Sequence, residues 1–279
     1  MNYKTLSGIQ PIDILQPVIA VAEQAAGAIN DIYHAGFTVS EKADSSPLTR
    51  ADLESHALIT GALKKIQPEL PLLSEESASV PFTIRKNWET YWLIDPLDGT
   101  REFIKRNGEF TVNIALIDRH MPVLGVVYIP VSGACYYAVK NHGAFRIERE
   151  QTAPVVLRTK KTTGTPFTAA GSRSHGNEKT ERFFARLGEN TEIISAGSSL
   201  KFCLVAEGKV DIYPRFGPTS EWDTAAAQCI VEEAGGTVTD TRFRPLAYNT
   251  RESLLNPEFF AIADPGFAWS RFLYQVDAT

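Results

Sequence analysis

The sequence predicts a layered protein in which an α+β first half joins an α/β second half. Three observations carry this reading. Two helical patterns open the chain, a dense run of strand patterns follows, and strands then alternate with helices. Ile12 to His34 contains the Ala-rich run ILQPVIAVAEQAAGAIN, with apolar residues at helical spacing. GFTVSEKADSSPLTRAD (36–52) is polar and carries turn residues, which fits a loop or a short hairpin. From Asp52, DLESHALITGALKKIQ returns to helical spacing until Pro68 stops it. LPLLSEES is a short strand running into Glu75 and Glu76. YWLID, FTVNIALI, PVLGVVYIP, GACYYAVK and GAFRI read as strands divided by Gly, Asn, Pro and His. Glu150 to Pro166 is polar and poor in large apolar side chains, so the crossing between halves is expected there. This gives an N-terminal half over 1–155 and a C-terminal half over 156–279, packed as one unit. FTAAG, NEKTERFFARLG, TEIISAG, SLKFCLVAEG and VDIYPRF then alternate strand and helix. The last helix, in WDTAAAQCIVEEAGG, stops at Gly235-Gly236.

Of 279 residues, 43% are hydrophobic and 22% charged, the balance of a globular chain with a sizeable core. Lys+Arg 28 against Asp+Glu 33 leaves a net charge of -5, too small to argue for a nucleic-acid or membrane partner. Cys135, Cys203 and Cys229 have no spacing typical of zinc or redox motifs and read as reduced thiols. The N-terminus lacks a basic cluster followed by an apolar run, and no uninterrupted apolar stretch is long enough to span a bilayer. A cytoplasmic location is expected, with peripheral association at the inner face of the cell membrane left open.

The chemistry concentrates in acids: Asp52, Glu75-Glu76, Asp95 with Asp98, and Asp223. WLIDPLDGT (92–100) ends an apolar strand in two aspartates. A tight turn at Pro96-Leu97 would face both carboxylates, and the Leu97 carbonyl, to one side. Carboxylates held so close repel unless something positive lies between them. Hard divalent cations such as Mg²⁺ favour such oxygen ligands, whereas zinc would want thiolate or imidazole. Gly99-Thr100 opens the short helical stretch TREFIKRN, whose first amides would cradle a phosphate. Each acid also has a plain structural reading: Asp52 and Asp223 as helix caps, Glu75-Glu76 as a solvated loop, Asp95-Pro96 as a turn. Their combination on one strand end is what points to chemistry.

WLIDPLDGTREF resembles the first signature of the inositol monophosphatase superfamily, and WDTAAAQCIVEEAGG its second. SEES (74–77) matches the family's acidic strand end, and TRAD (49–52) its upstream Thr-x-x-Asp. LDGTREFIKRNGEFTVNIALI and GSSLKFCLVAEGKVDIYPRFGPTSEWDTAAA are most similar to the bacterial 3'(2'),5'-bisphosphate nucleotidase (CysQ-type) branch. The resemblance implies a layered α-β-α-β-α sandwich of the inositol monophosphatase and fructose-bisphosphatase type. It implies that Glu75, Asp95 and the Leu97 carbonyl hold one Mg²⁺, and Asp95, Asp98 and Asp223 a second, with Glu75 reaching a third through water. Asp52 and Thr100 would orient and deprotonate the attacking water, while the Gly99 and Thr100 amides grip the phosphate. Lithium inhibition is expected. The reaction implied is removal of phosphate from adenosine 3',5'-bisphosphate, a by-product of sulfate activation, to give AMP; the sulfated form PAPS is a further candidate substrate. No oligomeric state is implied.

A second, non-reacting phosphate needs cationic or hydroxyl partners, and SRSH (172–175), GSSLK (197–201) and YPRFGPT (213–219) supply candidates. These are Arg173, Ser174, His175, Ser198, Ser199, Lys201 and Arg215, with Lys201 and Arg215 favoured. The basic run IKRN (104–107) reads more simply as a solvated helix end. Two rivals remain: another phosphatase of this fold, acting on inositol monophosphate or fructose 1,6-bisphosphate, and a metal-binding regulatory protein without catalysis.

Overall fold

The computed structural model of the chain describes residues 4–5, 7–41, 47–67, 69–77, 80–173 and 177–273. The first half opens with α1 (Pro11–Ala35), the short pair β1 (Val39–Glu41) and β2 (Pro47–Thr49), and α2 (Arg50–Ile66). Then come β3 (Leu72–Ser74), a 3₁₀ turn (Glu75–Ser77), α3 (Phe82–Arg85), β4 (Thr90–Asp98), α4 (Thr100–Ile104), β5 (Thr111–Asp118), β6 (Met121–Tyr128), β7 (Cys135–Val139) and β8 (Gly143–Ile147). β9 (Val155–Val156), β10 (Thr168–Ser172), α5 (Glu178–Leu187), β11 (Glu192–Ala196), α6 (Leu200–Ala206) and β12 (Ile212–Arg215) follow. A second 3₁₀ turn (Glu221–Asp223) leads into α7 (Ala225–Glu233), β13 (Thr237–Asp240), β14 (Phe259–Ile262) and α8 (Ser270–Leu273).

Strands β3 to β9 form a seven-stranded sheet in chain order, antiparallel except for the parallel pair β3–β4. A mixed five-stranded sheet has the order β11-β10-β12-β14-β13. Side chains alternate across each strand, and the two faces feed different cores. Trp92 and Ile94 of β4 bury against α1 and α2, while Tyr91 and Leu93 enter the core between the two sheets, where α6 and α7 lie. A third core, with Phe167, Phe183 and Trp269, covers the outer face of the smaller sheet beneath α5 and α8. The layers therefore run α-β-α-β-α. α1 is long and apolar enough by composition to cross a membrane, but Val18, Ala22, Ala25 and Ile29 along it are buried in the fold.

The segment 36–52 is the hairpin β1–β2 followed by the start of α2; its residues 42–46 lie outside the described residues. Glu150 to Pro166, read as a plain crossing, also contributes β9 to the large sheet and buries Leu157 in the core between the sheets. β13 and β14 were not expected from the sequence; each is four residues long, too short for a period-two pattern to register. The three cysteines are free and buried.

Candidate active site

Within WLIDPLDGT, β4 runs unbroken through Pro96-Leu97 to Asp98, not into the tight turn expected. Residues three apart on a regular strand face opposite sides. Asp95 pairs with Asn113 and Asp98 with Thr111, so three steps on β4 match two on β5. This β-bulge inserts one residue and turns Asp98 to the side of Asp95. Pro96 suits the bulge because it has no N–H for the ladder. The Leu97 amide donates to Asp95 Oδ1 at 3.0 Å, and Leu97 O lies 3.5 Å from Thr100 Oγ1.

The second 3₁₀ turn delivers Asp223 to the same place. Carboxylate oxygens of Asp95, Asp98 and Asp223 lie within 4.8 Å of one another, and Glu75, from the turn after β3, hydrogen-bonds Asp95. Burial, then the charges of Glu75, Asp98 and Asp223, hold the Asp95 carboxyl well above the usual carboxylate range. Asp223 is pushed up to about 8 by burial and then by Asp98. Burial raises Asp98 as well, opposed by Lys201 and by hydrogen bonds from Ser199 (3.0 Å) and Asn113 (3.3 Å). A divalent cation among these groups would relieve their repulsion. The donor set is all oxygen, which suits Mg²⁺.

Asp52 and Asp223 are also structural, though as the third residue of a capping box and not as caps themselves. Asp52 Oδ2 accepts from the Thr49 amide (2.7 Å) and hydroxyl (2.6 Å), and Thr49 caps α2. Oδ1 remains for Thr100, whose hydroxyl donates at 3.0 Å. Asp223 Oδ2 accepts from the Ser220 amide at 2.8 Å. Gly99 precedes α4 with φ 94°, in the left-handed region where a side chain is strained, and a Cβ there would sit 3.3 Å from both Glu109 O and Ser198 Cβ.

A cavity of ≈ 220 Å³ opens here, lined on the acid side by Glu75, Asp98, Thr100 and Asp223, and including Ser198, Lys201 and Arg215. Lys201 is buried; its ammonium donates to Ser198 O (2.6 Å) and Ala196 O (3.3 Å), leaving one of three donors over. Burial lowers its pKa to about 8 against the opposing pull of Asp98. Arg215 Nη2 donates to Pro218 O at 2.9 Å, while its Nε is buried without a partner. Ser199 lies outside the cavity lining; its oxygen is 3.0 Å from both Asp98 Oδ2 and Asp223 O, which share its one proton. Arg173 forks onto Glu109 (2.8 and 2.7 Å) and is also outside the lining. Ser174 and His175 lie outside the described residues. In IKRN, Arg106 donates to Tyr33 O at 2.6 Å and lies over the Tyr33 ring, so it is tied to α1 rather than solvated.

Sequence reading missed Asn113, Tyr213 and Thr219. Tyr213 and Thr219 line the cavity; Asn113 bridges Asp98 and Ser199. The signal for Asn113 was a lone amide inside the run VNIALI, which must find buried partners.

The model of the inositol monophosphatase family matches residues 13–264, and the chain belongs to that family. The 3'(2'),5'-bisphosphate nucleotidase CysQ of Escherichia coli K12 is 46% identical over 248 residues, which cover 88% of this chain and 98% of that protein. The crystal structure of CysQ from Bacteroides thetaiotaomicron, 41% identical, superposes with a TM-score of 0.77 and covers 90% of this chain and 97% of that one. An IMPase from Thermotoga maritima, 23% identical with a TM-score of 0.77 over 95% of this chain and 97% of its own, shares the fold.

Proposed function

We propose that the protein is a Mg²⁺-dependent 3'(2'),5'-bisphosphate nucleotidase that hydrolyses adenosine 3',5'-bisphosphate to AMP and phosphate. The observation that carries this reading is one cavity holding both the acid cluster and two buried cations, Lys201 and Arg215. A monophosphate needs only the first; a bisphosphate uses both. The relatives named CysQ support the same choice.

Glu75, Asp95, Asp98, Asp223 and the Leu97 carbonyl would hold the metal ions. Mg²⁺ bound there would neutralise phosphate charge and lower the pKa of a water. Thr100 donates its proton to Asp52 Oδ1, so its oxygen lone pairs are free to accept a hydrogen bond from the attacking water. As that water reacts, its proton passes to Thr100 Oγ1 and the threonine's own proton to Asp52. Thr49 fixes Asp52 Oδ2 and so aims Oδ1 at Thr100. The amides of Gly99 and Thr100 would grip the phosphate, and glycine supplies the left-handed backbone that Gly99 adopts there. Asn113 and Ser199 hold Asp98 in place. Lys201 and Arg215 bind the second phosphate, the guanidinium by its fork.

The 1–155 half supplies most of the acids and the 156–279 half supplies Asp223 and the cations, so the cavity needs both. A panel of adenosine 3',5'-bisphosphate, PAPS, inositol 1-phosphate, fructose 1,6-bisphosphate and AMP, with phosphate release measured with and without Mg²⁺ and Li⁺, tests the reading. Fastest Mg²⁺-dependent, Li⁺-inhibited release from adenosine 3',5'-bisphosphate is expected. Preference for inositol phosphate, or release without a divalent cation, contradicts it.

A further inference from the structure

Helix α2 does more than supply Asp52. Asp52, Ser55 and His56 have the i, i+3, i+4 spacing that places side chains together on one helix face. Each reaches a different segment of the acid cluster. Asp52 accepts from Thr100 at the start of α4; the Ser55 hydroxyl donates to Pro96 O at 2.7 Å; His56 Nδ1 lies 2.9 Å from Ser74 Oγ, one residue before Glu75.

The Ser55 contact falls at the weakest point of β4. β3 stops pairing with β4 at Ser74–Ile94, and the bulge leaves Pro96 without a partner on β5. Its carbonyl therefore needs a donor from elsewhere, because a buried backbone acceptor is seldom left unpaired. Ser55 is fully buried. A serine inside a helix ordinarily turns its hydroxyl back to its own helix. This one reaches across 41 positions of sequence to the one carbonyl that lies between Asp95 and Leu97.

We propose that Ser55 and His56 are positioning residues: α2 sets the spacing of the metal ligands by pinning the bulge that carries Asp95 and Asp98 and the strand end that carries Glu75. The inference rests on the reading of the acids as metal ligands and goes beyond it by assigning their geometry to a helix that supplies none of them.

The test is Mn²⁺ binding to metal-free protein, followed by the electron paramagnetic resonance signal of free Mn²⁺, alongside kcat and KM in Mg²⁺. Ser55→Ala should raise the Mn²⁺ Kd at least tenfold and lower kcat, with KM for the nucleotide changed less than twofold. His56→Ala, which frees only the Glu75 strand end, should raise the Mn²⁺ Kd about threefold, and it decides the matter if Ser55→Ala does not fold. The control is Thr90→Val at the opposite end of β4, where the lost bond is the buried one from Thr90 Oγ1 to Asp118 Oδ1 at 2.7 Å. It should leave Mn²⁺ affinity unchanged. Equal losses in Thr90→Val and Ser55→Ala, or wild-type Mn²⁺ affinity in Ser55→Ala and His56→Ala, would overturn the proposal while leaving the metal site standing. If the wild type binds no Mn²⁺, the metal site itself fails, and the positioning roles with it.

Discussion

At the residue scale, the proposed choice of a bisphosphate substrate rests on Arg215. Its guanidinium is buried, anchored to Pro218 O through one nitrogen, and carries an unpaired Nε in a cavity that also holds the acids. Arg215→Ala should raise KM for adenosine 3',5'-bisphosphate roughly tenfold or more, the loss of one charged hydrogen bond. On a simple monophosphate the change should be small; equal losses in steady-state assays of both substrates would refute the assignment. Away from the site, burial pushes Glu232 up to about 7. An acid whose pKa is raised on folding stabilises the native state fully only below its unfolded pKa, and that contribution is lost as pH rises through about 7. Glu232→Gln should therefore melt with the wild type at pH 4 and several degrees above it at pH 8.5. A difference independent of pH in calorimetry would contradict this. Sequence alone made the acids and Arg215 legible, because residue type is what it displays. It could not show that Arg173 is committed to Glu109 or Ser199 to Asp98, since partners depend on which loops meet.

Among the elements, β4 and α7 show why spacing read from sequence goes only so far. A period-two pattern places Asp95 and Asp98 on opposite faces, and an extra residue in one strand leaves no mark on that pattern. The tight turn reached the correct grouping of acids through the wrong backbone. α7 rests on the large sheet at Gly125 of β6, where an added Cβ would stand 2.2 Å from Ala226 O and 2.9 Å from its carbonyl carbon. No rotamer relieves a clash with backbone, so α7 must move, and Asp223 precedes it by two residues. Gly125→Ala should cost about 3 kcal/mol in denaturant melts and weaken Mg²⁺ activation in step. Wild-type stability would mean that the helix lies farther from the sheet.

At the scale of the whole molecule, the five layers were foreseen in kind from the order of strand and helix patterns, and their sequence α-β-α-β-α came from the resemblance. What local pattern could not give was the convergence of Asp52, Glu75, Asp95, Asp98 and Asp223, separated by up to 171 positions of chain. With the acids holding Mg²⁺ as proposed, the native state would bind a divalent cation that the unfolded chain does not. Mg²⁺ should therefore raise the melting temperature over that in EDTA, by an amount set by the ratio of concentration to Kd, about 2.7 kcal/mol at a hundredfold excess. Asp98→Asn should remove most of the gain. No difference between Mg²⁺ and EDTA would contradict the assignment.

The most direct measurement is anomalous diffraction from crystals soaked in Mn²⁺. Peaks bounded by the carboxylates of Glu75, Asp95, Asp98 and Asp223 and by the Leu97 carbonyl are predicted; a map with those side chains apart and no peak among them would contradict the metal-assisted reaction at its root.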